Sequence, residues 1–152
     1  AQVDAGAQVI QLFDSWAGIL SPDDFNEWSL PYLIEITKAI KEVPVILFAK
    51  GAWYGLERMS FKSGASALGL DWTISPEFGR EKTRNNITLQ GNFDPTHLLG
   101  PIQDIEMKTK RMIDRFGTQR YIANLGHGIL PNVPVDHARA FIDTVKNYEG
   151  KK

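Results

Sequence analysis

The sequence predicts an α/β architecture in which about five strands lie parallel in one sheet, with helices crossing over between them. Two observations carry this prediction. Short apolar runs recur at Val9–Phe13, Val45–Ala49, Ala67–Leu70, Ile87–Gln90 and Tyr121–Leu125, nearly continuous rather than alternating, as suits strands buried on both faces. Between successive runs come a polar or glycine-containing loop and then an amphipathic segment, which supplies the crossover that parallel neighbours need. The 152 residues allot about 30 to each repeat, the size of a β-α unit. No stretch rich in Pro, Gly or Ser divides them, so the chain is one domain or part of one.

After the first run, Ser21 is placed to cap a helix, Pro22 suits its first position, and Asp23 and Asp24 complement the positive helix start. The apolar stripe Phe25, Trp28, Leu33, Ile36, Ile40 follows at helical spacing toward a covered face. Pro31 should kink or locally open this helix, because it lacks an N–H and crowds the preceding turn. The segments around Gly55-Leu56-Glu57 and Pro76-Glu77-Phe78 give shorter helical signals. A long helix is indicated by Leu98, Leu99, Ile102, Ile105, Met112, Ile113 and Phe116, stopped by Gly117. A last one runs from about Val135 through Phe141, Ile142 and Val145 to Tyr148. Doubly wound open sheets and barrels share this alternation, and a complete eight-unit barrel usually takes about 250 residues, so a barrel of this length would be incomplete.

Composition narrows the function classes. With 43% hydrophobic and 23% charged residues the chain is ordinary for a folded domain. Its longest apolar stretch, Val43–Ala49, is interrupted by Pro44 and ends at Lys50, far short of the ~20 residues of a membrane span. A net charge of −1 offers no general attraction to nucleic acid or anionic membranes, so an anionic ligand has to be met by a local cluster. Ala1–Gly6 has no Met, basic n-region or apolar h-region, and reads as the tail of a helix cut in its middle rather than as a secretory signal. Without cysteine there are no disulfides and no thiolate metal ligands, and cytosol is the default compartment.

In parallel α/β folds ligands collect where strands end. The exits here carry Asp14, Ser15 and Trp16; Lys50 and Gly51; Asp71 and Trp72; Asn92 and Asp94; and Asn124, His127 and Gly128. In Gly126-His127-Gly128 the glycines let backbone approach a ligand while one imidazole is presented; the alternative is a turn whose His caps a carbonyl. Ser15 lies in no G-x-S-x-G elbow, so a hydrogen-bonding serine is more economical than a nucleophile. Asp71 and Asp94 read as turn and capping residues rather than acid/base groups, and Lys50 as a solvated cation or an anion ligand. His97, His127 and His137 are far apart, with His137 on a surface helix, and neither a metal-ligand spacing nor a nucleotide-binding loop occurs. Trp16, Trp28, Trp53 and Trp72 are scattered and read as core or loop packing.

Taken in order, Phe13-Asp14-Ser15-Trp16-Ala17-Gly18, Phe48-Ala49-Lys50, Leu70-Asp71-Trp72-Thr73, Leu89-Gln90-Gly91-Asn92-Phe93-Asp94-Pro95 and Asn124-Leu125-Gly126-His127-Gly128-Ile129 resemble the uroporphyrinogen decarboxylases. The helix from Ser21-Pro22 to Leu30-Pro31-Tyr32 resembles theirs too. The resemblance implies an α/β fold of the (β/α)8 TIM-type barrel class. Residues 1–152 would be the C-terminal portion of a single barrel domain, about its last five β-α units, with the N-terminal portion absent. It also implies a cytoplasmic homodimer, or a plastid one in a photosynthetic eukaryote, working without metal or organic cofactor. Such an enzyme removes the carboxyl groups of four acetate side chains from uroporphyrinogen, giving coproporphyrinogen and carbon dioxide.

Carried over residue by residue, the resemblance makes Ser15 a substrate contact, His127 a cleft residue near the substrate's carboxylates, and Phe13 an apolar wall. It places the catalytic Asp, with Arg and Tyr residues, in the missing N-terminal part, so this segment alone is expected to be inactive. No nucleic-acid or membrane partner is implied. Two other readings remain: a methyltransferase-like barrel, which needs cysteine ligands for zinc, and a noncatalytic fragment whose open sheet edges pair with another chain.

Overall fold

The structure, a computed structural model, describes residues 1–150. Strands β1 (Ile10–Asp14), β2 (Val45–Ala49), β3 (Ala67–Gly69), β4 (Thr88–Phe93) and β5 (Tyr121–Leu125) form one sheet in the order β1-β2-β3-β4-β5. All neighbours pair in parallel, with Phe13 opposite Phe48, Leu47 opposite Leu68, Leu68 opposite Leu89 and Asn92 opposite Asn124. A doubly wound sheet reverses its strand order at a switch point. Here each strand lies beside its neighbour in sequence, which is the progression of a (β/α) barrel.

The sheet is also curled. Strands three places apart in a flat sheet lie about 14 Å from one another. Yet the Gln90 side-chain amide of β4 donates to Gln11 Oε1 of β1 at 3.3 Å, so the concave face draws these strands' side chains together. Leu47, Leu68, Leu70 and Leu89 are fully buried, and the helices cover the convex side with Leu56, Met59, Ile105 and Phe116.

The strand expectations hold within a residue or two except at β4, which continues through Gly91-Asn92-Phe93. Asn92 therefore lies inside a strand rather than beyond its end. Pairing with β5 persists there, Gly91 opposite Ala123 and Asn92 opposite Asn124, although the apolar run has already stopped. The half-buried Tyr121 hydroxyl, its pKa raised by desolvation, donates to the Gly91 carbonyl. Gly91 has φ +133°, and a Cβ there would meet the Leu70 carbonyl oxygen at 2.5 Å, so glycine is required.

Ser21 caps the first crossover as expected, its hydroxyl accepting from the Asp24 N–H at 3.1 Å. Helix α1 (Pro22–Asp24) runs into a π-turn at Phe25–Ser29 and then into α2 (Leu30–Ala39). The Leu30 N–H reaches back to the Phe25 carbonyl, so the ladder opens in the turn just before Pro31, as that proline predicts. The π-turn also corrects the apolar stripe. Its extra residue makes the buried positions Phe25, Ser29, Leu30, Leu33 and Thr37, and leaves Trp28 63% and Ile36 44% exposed.

Helices α3 (Leu56–Lys62) and α4 (Pro76–Lys82) match the two short signals. Leu98 and Leu99 belong to a separate 3-10 turn, Pro95–Leu99; α5 (Ile102–Phe116) begins only after Gly100-Pro101 and stops at Gly117. Helix α6 spans Val135–Lys146 and buries Phe141, while Ile142 is exposed. Among the described residues no helix is long and apolar enough to cross a membrane.

Two arginines join α4 to α5. Arg80 donates to the carbonyls of Phe116, Gln119 and Arg120, satisfying groups left open where α5 ends. Arg115 forms a two-pronged pair with Glu77, at 2.8 and 2.6 Å, which holds the Glu77 carboxyl down at about 2 against its usual 4.5. A depressed carboxylate stabilises the fold above its unfolded pKa and loses that contribution as pH falls through its folded value. The clamp should therefore act fully above pH 4.5 and vanish toward pH 2. Because both side chains remain about half exposed, it contributes under ~1 kcal/mol. Acid-unfolding curves of the parent and Glu77→Gln should differ slightly at pH 6 and converge near pH 2; a constant difference down to pH 2 would contradict this.

Candidate functional site

Because the strands are parallel, their C-terminal ends share one rim, and the concave face opens there into a cleft of about 410 Å³. Gln11 and Phe13 of β1, Phe48 of β2, Gly69 and Leu70 beside β3, Gln90 of β4 and the β5 exit from Asn124 to Ile129 line it. Its floor is polar where Gln90 meets Gln11, and its walls are aromatic.

Ring contacts run from the wall residues Phe13, Phe48 and His127 out to Trp72, which lies beyond the cleft lining. Phe13 meets Phe48 edge to face at 5.8 Å, Phe48 stacks on His127 at 5.9 Å, and Trp72 stacks on His127 at 6.4 Å. The His127 imidazole thus packs near-parallel to two rings, tilted only 20° and 27° from it. It is half-buried, and its ring nitrogens have no hydrogen-bond partner among the described residues. Those nitrogens, with one or two N–H donors according to tautomer and charge, are available to a ligand. The reading of His127 as a carbonyl cap does not hold.

Gly126 sets this position, in a way the sequence reading did not anticipate. A Cβ on Gly126 would lie 2.7 Å from the Trp72 nitrogen and 3.2 Å from the Asn92 oxygen and the Asp71 carbonyl carbon. Its N–H donates to the Phe93 carbonyl at 2.7 Å. The close approach is therefore to neighbouring backbone, not to a ligand. Gly128 faces open space.

Of the three site residues named from sequence, Phe13 (58% exposed) and His127 line the one cleft, joined through Phe48. Ser15 lies in the turn just after β1, exposed and outside the cleft lining. The acidic exits are architectural. Asp14 accepts from the Ser29 hydroxyl at 2.6 Å and the Trp16 N–H at 3.2 Å. Asp71, 1% exposed, accepts from the Gly51 and Thr73 N–H groups and the Thr73 hydroxyl. Asp94 caps its 3-10 turn through Thr96. The Asn92 amide donates to the Asp71 and Ile74 carbonyls.

The histidines stand apart. His97 packs edge-on to Phe93, and His137 is not a free surface residue but bonds the Leu98 carbonyl at 2.7 Å. The sequence reading missed Phe48 and the role of Trp72, which supports His127 rather than packing a loop. For Phe48 a signal existed, since it sits opposite Phe13 in register. Lys50 lies with its ammonium 5.4 Å from the Trp72 ring centre.

The family model of uroporphyrinogen decarboxylase (URO-D) matches residues 1–148. The chain is 55% identical over 148 residues to the uroporphyrinogen decarboxylase of Flavobacterium johnsoniae, covering 97% of this chain and 43% of that protein. It is 48% identical over 159 residues to that of Schizosaccharomyces pombe (97% and 44% covered) and 43% over 156 residues to the human one (97% and 42%). The chain thus spans under half the length of the curated relatives it matches. Among solved structures, a methyltransferase from Methanosarcina mazei superposes with a TM-score of 0.83 at 25% identity, over 95% of this chain and 43% of that one. The same barrel progression thus serves a protein named for other chemistry, and it is the match to the family model and relatives over nearly the whole chain that decides between them: the chain belongs to the uroporphyrinogen decarboxylase family.

Proposed function

We propose that this chain is the C-terminal portion, about the last five β-α units, of one barrel domain that decarboxylates uroporphyrinogen. The cleft at its strand ends forms part of the substrate site. The observation that supports this best is His127, a cleft-lining imidazole packed near-parallel to Phe48 and Trp72, with no hydrogen-bond partner at its ring nitrogens among the described residues.

Loss of an acetate carboxyl beside a pyrrole needs the ring protonated first, so that the electrons of the breaking C–C bond flow into it as carbon dioxide leaves. A proton then fills the methylene and the ring proton departs; four rounds turn four acetates into methyls. On this reading His127 donates to a substrate carboxylate, Phe13 and Phe48 lie against the pyrroles, and Ser15 reaches the macrocycle from the turn above β1. The Asp, Arg and Tyr that the family uses for proton delivery act from the part preceding this segment, so the segment alone is inactive. On this reading the reaction needs no metal or organic cofactor. The whole enzyme works as a cytosolic homodimer, or a plastid one in a photosynthetic eukaryote. Trp16 and Ile19, 74% and 76% exposed beside the rim, suit a subunit contact.

The test is turnover of uroporphyrinogen by the full-length protein carrying this chain and by the 152-residue segment. Four equivalents of carbon dioxide per coproporphyrinogen from the first and none from the second are expected. No carbon dioxide from the full-length protein sinks the reading, and full-rate turnover by the segment sinks the division of labour.

A further inference from the structure

We propose that Lys50 is a second carboxylate-binding residue of the cleft mouth, an inference that rests on the reading of the cleft as a polycarboxylate site. Three observations converge on it. The first is direction. The β1–β2 ladder continues one rung past the strands, with the Lys50 N–H donating to the Asp14 carbonyl at 3.0 Å and the Lys50 carbonyl accepting from Gly18 at 2.8 Å. Strand alternation therefore reaches Lys50 and gives it the face of Phe48, the cleft-lining residue two places before it.

The second is support. The ammonium stands 5.4 Å from the centre of the Trp72 ring that also stacks on His127, so Lys50 and His127 share one aromatic prop. The next residue, Gly51, is pinned by its N–H to the buried Asp71 carboxylate at 2.7 Å, which fixes the backbone from which Lys50 extends.

The third is charge. Lys50 forms no ion pair among the described residues. The rim acids Asp71 and Asp14 accept from Gly51 and Thr73 and from Ser29 and Trp16, and neither is within ion-pair distance of Lys50. Lys50 is half-buried, forms no ion pair and stands beyond the cleft lining on the strand face of Phe48; such a cation, one ring away from a histidine with open nitrogens, favours an incoming carboxylate. A merely solvated loop lysine would have neither the aromatic prop nor the inward direction.

The experiment uses the full-length protein, its Lys50→Met and Lys50→Arg variants, and uroporphyrin, the stable octacarboxylate macrocycle, as probe. Lys50→Met keeps the stem over Trp72 and removes the charge. It should raise the Kd for uroporphyrin about tenfold and the KM for uroporphyrinogen similarly, with kcat within about twofold; Lys50→Arg should stay within about threefold of the parent. The gap should narrow as ionic strength rises. Equal Kd for the parent and Lys50→Met overturns the proposal whether or not the protein turns substrate over. A tenfold loss of binding in a protein that releases no carbon dioxide upholds the Lys50 site and sinks the decarboxylase reading instead. Failure of the parent to bind uroporphyrin overturns both.

Discussion

Replacing His127 with phenylalanine in the full-length protein is expected to lower kcat/KM for uroporphyrinogen by roughly 10- to 150-fold while leaving the melting temperature within a few degrees. The size follows from a hydrogen bond to a charged group, about 1.5–3 kcal/mol, at 1.4 kcal/mol per factor of ten. The variant separates the two things the imidazole does. Phenylalanine keeps a ring against Phe48 and Trp72, so the packing survives, but it offers no N–H. If His127 were only a packing element, activity would follow stability and neither would change much. Assays of kcat and KM beside a thermal melt distinguish the two outcomes.

Replacing Gly126 with alanine is expected to destabilise the protein by about 1–3 kcal/mol, the usual cost of forcing a methyl into a packed site. All three atoms that its Cβ would strike are backbone, of Trp72, Asn92 and Asp71, so no side chain can swing away. Relief has to come from moving the β3 or β5 exit, which carry Trp72 and His127, and the activity loss should therefore exceed what the melt implies. Gly128→Ala is the internal control. Its Cβ meets nothing within 4 Å, and its effect should stay within about 0.5 kcal/mol. Chemical denaturation of both variants checks the pair, and equal effects would contradict the packing argument.

Local chemistry was legible in the sequence where it decides structure alone. Ser21-Pro22 announces a helix start and Pro31 a break in its ladder, and both stand where they were read. The five apolar runs give the strands; β2 and β3 are buried throughout, as a continuous run implies, whereas β1 and β5 leave Phe13 and Ile122 exposed and carry Gln11 and Asn124. The order of strands and the curl that brings Gln90 to Gln11 are tertiary facts, beyond periodicity. Only the resemblance of the strand-exit motifs selected the barrel.

The misreadings share a physical source. Trp28 and Ile36 were assigned to the covered stripe by counting 3.6 residues per turn through a π-turn that adds one. Asn92 was placed outside its strand because hydrophobicity, not pairing, was the signal. In the cleft, Phe13 and His127 had been singled out as candidates from their motifs, but the packing of Phe48 and Trp72 against His127 had not been foreseen. Phe48 and Trp72 come from strand exits distant in the chain, and nothing in either motif shows that they converge on one imidazole.

The cleft's function depends on a ring nitrogen of His127, packed against Phe48 and Trp72, meeting a carboxylate of a macrocycle. A crystal structure of the full-length protein with bound coproporphyrinogen tests this most directly. It should place one propionate oxygen about 3 Å from a His127 ring nitrogen, with Phe13 and Phe48 against the pyrroles. A macrocycle seated away from the strand ends, with the His127 nitrogens facing only water, would contradict it.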